Sequence, residues 1–76
     1  MTKGAKFQLS QPTYGIVYIG SDIKAILLPL GSVIEVLRTR ENDDRMLEIG
    51  WEGNTVMLFA RHIQERGIPV SHAKAS

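Results

Sequence analysis

His62 and Glu65 stand three places apart in RHIQER, residues 61–66, a spacing that sets two side chains on one face of a helical turn. A metal centre needs three or four ligands. The chain has no cysteine, and only His72, near the C-terminal end, supplies a second imidazole. The pair therefore reads as polar residues of a solvated turn, and neither metal nor cofactor is expected. Ser10, Ser21, Ser32, His62 and Asp22 supply the residue types of a nucleophilic triad, but none sits in a nucleophile elbow or a comparable context. No acid, base and nucleophile converge, so we expect no enzymatic activity.

Gly50 to Gly53 spells G-x-x-G, which clamps a nucleic-acid backbone when it joins two helices. Here the glycines flank a hairpin, and a turn is the simpler use. Arg38, Arg40, Arg45 and Arg61 offer cations for a nucleic-acid patch at one end of the domain, with Tyr14, Tyr18 or Trp51 as stacking platforms. Glu41, Asp43, Asp44 and Glu48 are interleaved with them, and nine basic against eight acidic residues leave a net charge of +1. Nucleic-acid binding is thus the second reading. Trp51 alternates with Leu47 and Ile49 and is expected as a core aromatic.

The elements that would hold these residues follow from periodicity. Residues 1–13, with Gly4, Pro12 and little pattern, read as a flexible arm unless Phe7 and Leu9 dock. YGIVYI, residues 14–19, is a strand closed by the turn residues Gly20, Ser21 and Asp22. Residues 23–28 form a second apolar stretch, broken by Pro29 and Gly31. Residues 32–38 are a strand with Ile34 and Val36 on one face and Val33, Glu35 and Leu37 on the other. A polar loop, residues 39–45, leads to a hairpin of residues 47–51 and 56–60 around Gly53-Asn54. That pairing sets Trp51 opposite Val56, Ile49 opposite Leu58 and Leu47 opposite Ala60. A helical turn follows at residues 61–66, with Gly67 as its stop, then a short edge strand at 68–70, and residues 71–76 are expected to be disordered.

A long hairpin, LPLGSVIEVL at residues 28–37, a polar loop, a tight hairpin at Glu52–Thr55, a helical turn and a closing strand together resemble an SH3-like barrel over residues 14–70. The resemblance implies an all-β, small five-stranded barrel with one short helical turn before the last strand. More narrowly, GSVIEVL, WEGNTVMLFA and QERG are similar to short single-domain bacterial proteins of unknown function. Peptide-binding SH3 domains carry a Pro-x-x-Tyr near the helical turn where this chain has Ala60-Arg61-His62, so proline-rich recognition does not carry over. VMLF at residues 56–59 takes a place comparable with the pore-lining strand of the SH3-fold dihydrofolate reductases, which share one active site among four barrels. Met57, Leu58 and Phe59 lack that strand's polar Gln and Tyr, and no catalytic role carries over.

What remains is a surface. If Leu47, Ile49, Trp51, Val56 and Leu58 point inward, then Met46, Met57 and Phe59 point outward, and Val33 and Leu37 join them on the neighbouring strand. We expect these five residues to form a homo-oligomer interface, a two-fold dimer first, in a non-enzymatic binding or scaffolding module that can also take an unidentified protein partner. The longest apolar run, residues 25–30, is too short to span a bilayer, and residues 1–11 lack an apolar signal core. The absence of cysteine agrees with a cytoplasmic location.

Overall fold

Seven stretches of alternating or β-branched sequence form strands. A computed structural model describes residues 3–39 and 45–70. Along the chain these are β1 (Lys6–Leu9), β2 (Thr13–Ile19), β3 (Asp22–Leu28), β4 (Val33–Thr39), β5 (Met46–Trp51) and β6 (Asn54–Phe59), then helix α1 (Ala60–Arg66) and β7 (Gly67–Pro69). The fold is all-β, in one antiparallel sheet ordered β3-β2-β6-β5-β4-β1-β7. In place of a closed barrel of five strands, the sheet has seven and is open, with β3 at one edge and β7 at the other. Residues 1–2, 40–44 with Arg40 among them, and 71–76, expected to be disordered, lie outside the described residues.

Two strands are additional: β3 takes up the apolar stretch at residues 23–28, and β1 comes from the segment expected as an arm. Leu9 is fully buried and Phe7 packs against the core, so the docking condition is met and Lys6–Leu9 pairs with β4 on one side and β7 on the other. Its flanks are tied as well: the Gly4 N–H donates to the Val36 carbonyl at 2.7 Å and the Ser10 N–H to the Arg66 carbonyl at 2.7 Å.

The inner face holds the core. Leu9, Leu28, Ile34, Val36, Leu47, Ile49, Val56, Leu58 and Ile63 form one cluster, with Trp51, Val17 and Ile26 packed at its margin. Among the described residues Thr13 is the one buried polar side chain, its hydroxyl donating to the Gln11 carbonyl at 3.1 Å. Bringing this many apolar side chains out of water is the main term that holds so short a chain together.

The β5–β6 hairpin corrects the expected register. Its turn is Glu52-Gly53, with φ of 50° and 80°, so both central residues take the left-handed values that a type I′ turn demands. Trp51 consequently faces Asn54, Ile49 faces Val56 and Leu47 faces Leu58, two places from the pairing expected around Gly53-Asn54. Side chains alternate with period two, so a slip of two preserves every face, and the inward set is unchanged.

Gly67 ends the helix by a route other than the usual one. Its φ is −93°, in extended backbone, and its N–H donates to the Ile63 carbonyl. A Cβ there would lie 2.6 Å from that carbonyl oxygen and 3.1 Å from Phe7 Cβ. Glycine is needed for the close approach of the helix end to β1, not for a positive φ.

Candidate functional site: the outer face of the sheet

Two hairpins meet to build this face. The β2–β3 hairpin turns on Gly20-Ser21, with Gly20 at φ 62°, which fixes Ile19 opposite Asp22 and, counting back, Tyr18 opposite Ile23, Ile16 opposite Ala25 and Tyr14 opposite Leu27. Gly15 lies on the inner face, where a Cβ would collide with Val56 Cγ1 and come within 3.1 Å of Leu28 and Leu58. Its neighbours Tyr14 and Ile16 therefore belong to the outer face.

β2 joins β6 at Ile16 opposite Met57, and Met57 in turn faces Glu48 on β5. Extending that register by two residues sets Phe59 level with Tyr14. Leu27, Tyr14, Phe59 and Met46 then run in one row across four strands, beside the row Ala25, Ile16, Met57 and Glu48. Strand and residue spacings make this a patch on the order of 15 Å on a side. Tyr14, Tyr18, Ile23 and Leu27 are 65%, 61%, 63% and 48% exposed, and Phe59 is 43% exposed. The solvent-facing side of an antiparallel sheet normally carries polar side chains.

The structure distributes the five residues expected at the interface unequally. Met57 is only 6% exposed, because β2 runs beside it and supplies Ile16 as its neighbour. Leu37 sits at a register shift between Val36 and Arg38 and leans over the bare backbone of Gly50, where it is half-buried. Met46, opposite Phe59, is also half-buried. Val33 is exposed but lies opposite Gln8 of β1, at the other end of the face from Phe59. The five are not one contiguous patch. The residues that extend Phe59 into a patch, Tyr14, Tyr18, Ile23 and Leu27, are absent from that expectation. Their signal was the two-residue turn Gly20-Ser21, which fixes the hairpin register from sequence alone.

The chemical candidates are placed as follows. Arg45 and Arg61 line an open cleft of about 490 Å³ with Phe59, His62 and Gln64. Arg38, exposed on β4, is opposite Glu48. His62 packs edge-on against Phe59, ring centroids 5.4 Å apart, and its buried Nδ1 has no hydrogen-bond partner among the described residues. Glu65 is exposed, and among the described residues no three His, Cys, Asp or Glu side chains gather as metal ligands. Trp51 packs at the core margin, as expected, and lines a second open cleft of about 630 Å³ with Val17, Tyr18, Ile26 and Leu27. No helix among the described residues is long and apolar enough to cross a membrane.

Comparison with protein families, with curated proteins and with solved structures finds no match to this chain.

Proposed function

We propose that this chain is a small non-enzymatic binding or scaffolding module that self-associates through the apolar outer face of its sheet. The observation that carries the reading is the exposure of Tyr14, Tyr18, Ile23, Leu27 and Phe59 on the outer side of β2, β3 and β6, two hairpins joined at Ile16 and Met57, with no second layer over them among the described residues. Monomers seldom keep so many adjacent large apolar groups in water.

The architecture we assign to the module is SH3-like. In support, β1, β4, β5, β6 and β7 account for five strands, with β2–β3 as a long hairpin inserted after the first, a turn at Pro29–Ser32, and α1 before the last. The first and last strands pair with each other, as they do in that architecture.

Sedimentation equilibrium of the wild type beside Phe59→Asp tests the reading. The expected result is a concentration-dependent dimer in the wild type and a shift toward monomer in the variant. A wild type that stays monomeric at several hundred micromolar would end it.

A further inference from the structure

The two edges of the sheet are not equivalent. β7 is three residues long and contains Pro69, which offers no N–H, so this edge is blunted against further pairing. β3 is seven residues, DIKAILL, with no proline, glycine or bulge, and pairs among the described residues with β2 alone. Ile19 and Asp22 close a two-residue turn, so they are a hydrogen-bonded pair, and Asp22, Lys24, Ile26 and Leu28 turn their backbone groups toward β2. Ile23, Ala25 and Leu27 are left with N–H and C=O aimed at the open edge. The same parity turns Ile16 toward β6, where it finds Met57.

We propose that the partner of this edge is β3 of a second copy of the chain, antiparallel about a two-fold axis at Ala25. This rests on the self-association proposed above, but not on the Phe59 patch. Among the registers in which the outward-aimed residues face one another, the one centred on Ala25 pairs all seven residues of the strand. It brings Ile23 against the second copy's Leu27 on the outer face, where both are exposed. Centring one residue earlier would set Lys24 directly against its own copy, a like-charge pair that destabilises a sheet. The small side chain on the axis lets the strands approach.

Charge also favours a second copy. β3 carries one Asp and one Lys, so the edge has no net charge with which to select an acidic or a basic strand. Beyond Ile16, β2 makes no further pairing with β6, so the outer half of the hairpin stands as a two-stranded ribbon with Tyr18, Ile19 and Ile23 exposed. Such ribbons are marginal in water, and a third and fourth strand remedy that. Seven paired residues per copy fall below the roughly 800 Å² a side of a standard interface, so the dimer is weak, micromolar or above in dissociation constant. Pairing of like edges is isologous and closes at two copies.

Two sets of variants test this. Ala25→Pro removes an N–H that points out of the sheet and leaves pairing with β2 intact; it should raise the dimer dissociation constant about tenfold or more in sedimentation equilibrium. The chain has no cysteine, so Ala25→Cys introduces a single thiol. Across the axis its Cα would lie ~5.5 Å from its mate, within disulfide reach. Lys24→Cys would lie roughly 8 Å from its own mate, out of reach. Rapid oxidation to a disulfide dimer at 25 and not at 24 is the expected result, and it holds the proposal to account even if the proline variant fails to fold. Equal cross-linking at both positions, or a folded proline variant with an unchanged dimer, overturns the edge. A dimer lost in Phe59→Asp but kept in Ala25→Pro places the second copy on the face and overturns the edge alone. The reverse keeps the edge and overturns the face. A monomeric wild type overturns both, and leaves β3 to a strand from another protein.

Discussion

The β5–β6 and β2–β3 hairpins are built alike and live differently. Each closes on a two-residue turn that begins with a positive φ, and each alternates apolar side chains on strands of six or seven residues. β5 and β6 have a paired strand on both flanks, and Leu47, Ile49, Val56 and Leu58 lie in the core. β2 is flanked for part of its length and β3 on one side only, and the same kind of residue stays in water. Local sequence makes the hairpin; neighbours decide whether its side chains stabilise the fold or remain available to a partner.

Substitutions can widen or erase that difference. The largest effect is expected at Leu58→Ala in β6, which empties a fully buried site and should cost about 2–5 kcal/mol in urea unfolding, enough to unfold much of so small a domain. Next is Gly15→Ala, at the seam between the hairpins, where the new methyl meets Val56 Cγ1 and forces repacking worth ~1–3 kcal/mol by the same measurement. A neutral result there would mean that the seam is looser than the core. The smallest is Ile23→Thr on the exposed hairpin, expected within about 0.5 kcal/mol of wild type in stability while weakening self-association. A large loss of stability at Ile23 would show the two hairpins to be equally integral.

Much of the fold was legible because the signals were local. Proline and glycine at 29 and 31 broke the chain where β3 ends, and alternation in 32–38 placed Ile34 and Val36 inward, where both are fully buried. The exposed face was half legible. Parity within one hairpin places Phe59 outward; Met57 has the same parity, but β2 runs beside it and covers it. β1 is hidden for a related reason: KFQL alternates over only four residues, between Gly4 and Pro12, and contacts with β4 and β7, distant in sequence, make it a strand. The Glu52-Gly53 turn defeated the expected register because Glu52, a residue that seldom takes positive φ, does so here.

The pairing of β1 with β7 also has a consequence for biosynthesis. Leu9 faces Gly67, so the earliest of the seven strands to leave the ribosome meets one of its two neighbours only after the helix has been made. At ~5–20 residues per second, Lys6–Leu9 waits several seconds with one side open, a window in which a nascent strand can pair wrongly. Completion of the sheet is therefore timed by translation, and slowing the ribosome over residues 60–69 would lengthen the interval in which this chain is most exposed to misassembly.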